Sequence, residues 1–235
     1  MGGWSSFKGT LWIVQSEKAD LKGKIQVIPL LTGLNLPHDI ELDTKGRVLI
    51  GEAHQIRRVT LKNTEVQLNE VLIKDLPYKE HLHPLTNFIQ LANGDLVVNV
   101  GSKTDQCDEH IQQGKCTELS FNGLWQYRYD PALDHYNAQG IQLATGLRNS
   151  MALTVHESGT LLQAENSSDL SEADEPYEEL NIIKDGGFYG WPYCLNEQFD
   201  QKKIPDGCTQ ANYLPPYLLM PPHTAPLDMM YAHST

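Results

Sequence analysis

The sequence has no apolar run near the roughly 20 residues that a membrane-spanning helix needs. Its first 30 residues lack a positively charged segment followed by an apolar stretch, so no secretory leader is visible in them. Basic residues are few: 18 Lys and Arg stand against 30 Asp and Glu, for a formal net charge of −12. So acidic a chain repels phosphate backbones, which argues against a nucleic-acid partner. The charge is compatible with binding a cation such as Ca²⁺, although plain solubility accounts for the larger share of it. No segment sustains an apolar period of 3.6, so long helices are not expected. EF-hand spacing is absent, and no cysteine pair has the tight C-x₂-C spacing of most zinc sites.

Apolar residues make up 40% of the chain, enough for a buried core. The four cysteines form two local pairs, Cys107 with Cys116 and Cys194 with Cys208, each in a polar, loop-like stretch. Two disulfides closing long loops in an oxidising compartment are the favoured reading, with a Cys₄ zinc site or free thiols as the alternatives.

Three segments superimpose without gaps about a central glycine: Asp39 to Ile50 about Gly46, Asn87 to Val98 about Gly94, and Met151 to Leu162 about Gly159. Each reads as strand, polar turn ending in glycine, and strand, with glycine supplying the positive φ of such turns. A fourth copy starts at Thr224. Further strand signals lie at Gln55–Val59, Glu70–Ile73, Gly123–Tyr129 and Leu180–Ile183. The glycines are 48 and then 65 positions apart. A unit of roughly 40–50 residues with about four strands is the signature of a β-propeller blade, and Thr104–Thr117 is the obvious insertion in the longer interval. A β-sandwich is the alternative, but it leaves the repeat unexplained. The expected fold is therefore all-β, a single β-propeller domain over 1–235, truncated to about four blades and incomplete at the C-terminus.

A polar cluster precedes each repeat: Leu36-Pro-His38, His81-Leu-His83-Pro and Gly146-Leu-Arg148-Asn149. In a propeller the strands they lead into border the central channel, so the clusters should converge at one mouth and could assemble a cofactor site with a general base. Taken singly, each reads more readily as a loop-capping group; their recurrence at the same repeat position favours function. A second constellation, Glu165, Asn166, Ser167, Ser168 and Asp169 followed by several acids, reads either as a Ca²⁺-binding loop or as a solvated acidic one.

Gly146-Leu-Arg148-Asn149, then Asn166, then Glu179-Leu-Asn-Ile-Ile-Lys-Asp-Gly-Gly-Phe-Tyr-Gly-Trp-Pro192 resembles the pyrroloquinoline quinone (PQQ)-dependent sugar dehydrogenases, of the soluble glucose dehydrogenase and L-sorbosone dehydrogenase type. The resemblance runs from about Leu34 to the C-terminus and implies a six-bladed quinoprotein propeller. His83 then aligns with the base that removes the sugar hydroxyl proton, with His81 as its rival. Arg148 and Asn149 align with residues contacting the quinone oxygens. Ser167 and Ser168 align with positions whose backbone carbonyls hold Ca²⁺ against PQQ, although the family more often has glycine followed by proline or arginine there. The family also grips the PQQ carboxylates with a Lys and an Arg from later blades, which this chain would not supply.

The resemblance implies oxidation of an aldose or related sugar by hydride transfer to PQQ, with electrons leaving to an external acceptor, in a periplasmic or secreted protein. Open propeller edges would permit self-association. Two other readings remain at this stage: a non-catalytic propeller that binds carbohydrate or protein, and a Ca²⁺-dependent lactonase-type hydrolase.

Overall fold

The computed structural model describes residues 7–19, 22–112, 115–195, 198–199, 208 and 212–232. Most of the loop between Cys194 and Cys208, and the end of the chain at Ser234 and Thr235, lie outside the described residues. Two compact units divide the chain, Met1–Leu76 and Pro77–Thr235.

The first unit opens with an antiparallel hairpin, Gly9–Ser16 with Ile25–Leu34, that no sequence signal had marked. A four-stranded antiparallel meander follows: Asp39–Leu42, Val48–Glu52, Gln55–Lys62 and Glu65–Ile73. All five residues of Val48–Glu52 are buried, as the apolar Val-Leu-Ile run demands of an inner strand. Leu34, Val48, Ile50 and Val59 form the core here.

The second unit holds two more meanders. One runs Phe88–Gln90, Leu96–Val100, Gly123–Tyr127 and Ile141–Thr145, with Gly187–Phe188 added parallel to its last strand. The other runs Ala152–Val155, Leu161–Glu165, Glu178–Ile182 and Leu218–Met220. Val97, Leu124, Ala144, Leu147, Leu153, Leu161 and Tyr189 form one core cluster in this unit.

The three superimposed segments fold alike down to their hydrogen bonds. In each turn one backbone N–H bonds the carbonyl four residues on, and the glycine N–H bonds back to the carbonyl three residues before it. The first bonds are Asp43 to Arg47 (2.9 Å), Leu91 to Asp95 (2.8 Å) and His156 to Thr160 (2.9 Å). Gly46, Gly94 and Gly159 all return at 2.8 Å. Their φ angles of 74°, 91° and 83° are the left-handed values that only glycine adopts at little cost. The register of the repeat is thus fixed by turn chemistry as well as by the apolar pattern.

The long interval between Gly94 and Gly159 has the expected cause. Residues 101–122 are inserted between the second and third strands of their meander. The Cys107–Cys116 disulfide (Cα–Cα 6.0 Å) closes that insertion, and Cys194–Cys208 (Cα–Cα 5.4 Å) closes the later loop. Disulfides therefore replace the zinc and free-thiol alternatives. Helical structure is confined to short 3₁₀ turns such as Asp108–His110 and Thr117–Ser120 among the described residues. The stretch Thr224–Met230 forms no strand; Leu218–Met220, just upstream, completes the third meander instead.

Leu124 is fully enclosed in the core of the second unit, whereas Leu133 is 74% exposed. Leu124→Ala should lower the unfolding free energy by about 2–5 kcal/mol, and Leu133→Ala should change it by less than about 0.5 kcal/mol. The shift of a denaturant midpoint at constant m-value measures both.

Candidate active site

The His81-Leu-His83 and Gly146-Leu-Arg148-Asn149 clusters both belong to the second unit, and they meet there. Leu36-Pro-His38 belongs to the first unit, where the His38 N–H donates to the Gly51 carbonyl at 3.0 Å.

His83 and Arg148 stand at the same place in their repeats, each eleven residues before the turn glycine. Ser102, two residues past the Leu96–Val100 strand at the start of the insertion, ties them together. Its backbone N–H donates to the Arg148 carbonyl (2.8 Å), and its own carbonyl accepts from the His83 N–H (3.3 Å). The Ser102 hydroxyl lies 2.9 Å from His83 Nδ1 and donates to the Thr104 carbonyl at 2.6 Å. Gly101 makes the approach possible, since a Cβ there would come within 2.6 Å of both Cβ and O of His83. Burial, then the nearby Arg148 charge, pushes the His83 imidazole down to about 3. His83 is therefore neutral across the physiological range. His81 is lowered mainly by burial, and the charges acting on it are those of Glu118 and Lys103. Of the two histidines, His83 is the one set beside Arg148.

Arg148 is 2% exposed, and its guanidinium is ringed by oxygen. Nη1 donates to the carbonyls of Asn166 (3.1 Å) and Ser167 (2.5 Å). Nη2 makes ion pairs with Asp105 (2.8 Å) and Asp169 (3.1 Å). The Nε of Arg148 is buried with no hydrogen-bond partner among the described residues. A buried guanidinium is tolerated only with this degree of compensation. The two carbonyls expected to face Ca²⁺ are thus engaged within the chain, Ser167 by Arg148 and Ser168 by the Leu170 N–H (3.0 Å). Hard oxygens of carbonyl and carboxylate type suit Ca²⁺, but the positive charge they surround here is that of Arg148.

Beneath this ring lies a buried carboxylate. Glu165 Oε1 accepts the backbone N–H groups of both Arg148 and Asn149, the latter at 2.9 Å. Its Oε2 accepts from the Gln163 amide (2.7 Å) and the Ser150 hydroxyl (3.4 Å). Burial pushes Glu165 up to about 7, against the pull of the Asn149 and Arg148 N–H groups and the Gln163 amide. Asn149 Oδ1 accepts from Asn99 Nδ2 at 3.5 Å, which leaves its own amide nitrogen available as a donor.

Sequence reasoning missed three residues of this arrangement. Asp105 sits in the disulfide-closed insertion, where it looked like loop filling. Its carboxylate holds Arg148 and the Asp169 N–H (2.9 Å), and its carbonyl accepts from the Trp191 indole (2.8 Å). The buried Glu118 carboxylate fixes that loop through the N–H groups of Lys103 (2.7 Å) and Thr104 (3.2 Å). Ser102 carried no signal of its own. Trp191 packs against the loop that holds Asp105.

Comparison with known proteins yields a family and a fold. The glucose/sorbosone dehydrogenase family model matches residues 44–235. A PQQ-dependent pyranose dehydrogenase from Coprinopsis cinerea is 25% identical across 88% of this chain and 40% of its own length. The chain therefore spans about 40% of the curated relative it matches. Among solved structures, the holo PQQ domain of a pyranose dehydrogenase from Coprinopsis cinerea superimposes with a TM-score of 0.71 at 19% identity, over 97% of this chain and 67% of that one. The calcium structure of a Trichoderma reesei family AA12 carbohydrate-active enzyme gives 0.70 at 16% identity, over 96% and 70%. A putative glucose dehydrogenase from Thermus thermophilus gives 0.54 at 17% identity, over 86% and 63%. These likenesses establish the fold as all-β, of the β-propeller class.

The two perturbed groups act oppositely on stability. Below its ordinary pKa of 6.5, His83 takes a proton in the unfolded chain that it refuses in the folded one, so its contribution is lost as pH falls from about 6.5 towards 3. Glu165 keeps a proton in the folded state that the unfolded chain releases above 4.5, so its contribution is lost as pH rises through about 7. His83→Asn should flatten the acid-side loss of unfolding free energy by up to about 1.4 kcal/mol per pH unit. Identical acid-side slopes for wild type and variant would refute the assignment.

Proposed function

The chain belongs to the glucose/sorbosone dehydrogenase family, and from that premise we propose that it oxidises an aldose or related sugar with PQQ and Ca²⁺ and passes electrons to an external acceptor. The observation that carries this reading is the meeting of a neutral, half-buried His83 with the Arg148–Asn149 pair in one cluster. His83 is the base that takes the proton from the sugar hydroxyl. Its neutrality at working pH means no acid must be removed first. Arg148 and Asn149 bind the quinone oxygens, offering a cation and an amide donor where negative charge grows. The unpartnered Nε of Arg148 and the buried, unpartnered Oδ1 of Asn166 support a polar cofactor at this point.

The Ser167 and Ser168 carbonyls are the positions that would hold Ca²⁺, each sharing its oxygen with the Arg148 guanidinium or the Leu170 N–H that it already accepts. When bound, PQQ would accept the hydride from the sugar carbon, with Ca²⁺ polarising its reacting carbonyl. The remaining work falls to the protein: His83 moves the proton, Arg148 and Asn149 orient, and Glu165 holds both of those residues by their backbone N–H groups. The two disulfides support an oxidising location, secreted or periplasmic.

The test is dye reduction by the purified chain with PQQ, Ca²⁺ and a panel of aldoses. Activity is expected, and His83→Ala should lower kcat by about 10²–10⁴. His81→Ala should lose far less. Failure of PQQ to bind at high micromolar concentration would overturn the reading for this chain and leave a non-catalytic binding propeller.

A further inference from the structure

A neutral histidine can act as a base through only one nitrogen, and which one depends on the hydrogen bond made by the other. Two short contacts around Ser102 decide this for His83. The Ser102 hydroxyl has a single proton. The Thr104 carbonyl, 2.6 Å away, has none to give, so the hydroxyl proton lies on that contact. At the second contact, 2.9 Å from His83 Nδ1, the Ser102 oxygen must then accept. Nδ1 therefore carries the ring proton and Nε2 keeps its lone pair, with no partner among the described residues. Ser102 has little freedom to do otherwise. It is fully buried, and its backbone is pinned on one side to the Arg148 carbonyl and on the other to the His83 N–H.

We propose that Ser102 is a positioning residue that fixes His83 as the Nδ1–H tautomer, so that Nε2 is the atom that receives the sugar proton. The proposal rests on the reading of His83 as the base. Without the hydroxyl, Nδ1–H would lose its acceptor on a half-buried ring, and the ring would be free to shift its proton to Nε2, the nitrogen that must be empty for catalysis. The same residue sets the spacing between base and cation, since its backbone joins His83 to Arg148 directly.

The tautomer is readable without cofactor. In the ¹⁵N-labelled chain near pH 7, with His83 assigned from the spectrum of His83→Gln, Nδ1 should resonate as a protonated nitrogen and Nε2 as an unprotonated one. Ser102→Ala should mix or reverse the two, and Ser102→Thr, which keeps the hydroxyl, should restore them. With PQQ and Ca²⁺ added, Ser102→Ala should lower kcat for the sugar by about 10–100-fold with KM little changed, the range typical of losing a group that orients a functional histidine. A wild-type spectrum with Nε2 protonated overturns the proposal without any variant, as does Ser102→Ala retaining a pure Nδ1–H signal. Activity surviving in His83→Ala while the tautomer still follows Ser102 would instead refute His83 as the base.

Discussion

A buried carboxylate that catches the backbone entering its own hairpin is the constraint on which the site depends. Glu165 ends the second strand of the third meander, and its Oε1 takes the N–H groups of Arg148 and Asn149 just before the first strand begins. The first unit repeats the device: Glu52, six residues after Gly46 as Glu165 is six after Gly159, accepts the Asn35 N–H at 2.7 Å. Each carboxylate satisfies orphan donors in a segment with no strand partner, where an unpaired N–H would cost about 1–3 kcal/mol. In the second meander the corresponding position is Val100, and the closing bond runs instead from Ser102 to Arg148 in the next repeat. That exception brings two repeats together and creates a place where their side chains meet.

Much of the architecture was legible because it is periodic. Three glycines at matched positions located three hairpins, and the polar clusters ahead of them marked His83, Arg148 and Asn149. The N-terminal hairpin escaped notice because Gly9–Ser16 and Ile25–Leu34 lack the turn-glycine pattern; their apolar residues, such as Trp12 and Val27, are half exposed. The second half of the site was hidden for a different reason. Asp105, Glu118 and Ser102 act through long-range loop contacts, from 14 residues for Glu118 with Thr104 to 86 for Asp105 with Trp191, and such contacts leave no local pattern. Ser167 and Ser168 lie in a loop whose oxygens gather around a positive charge. That the cation beside them would be Arg148 depends on how two separate loops fold.

The charges of the site balance locally. Arg148 carries one positive charge into a nearly dry interior, and Asp105 and Asp169 answer it from two different loops. Glu165, close below, is driven towards its neutral form by burial. Desolvation and the Arg148 charge keep His83 neutral, against the pull of Asp105. The Arg148 cation is thus enclosed by acidic groups, in keeping with the net charge of −12, and the neutral His83 stands beside it as a proton acceptor.

The bond from the Trp191 indole to the Asp105 carbonyl has a practical consequence. Trp191 is buried, and its N–H ends on the residue that pairs with Arg148. Indole emission responds to the polarity and hydrogen bonding around the ring. The molecule therefore carries an intrinsic optical reporter two contacts from the guanidinium, sensitive to movement of the insertion loop and requiring no added label.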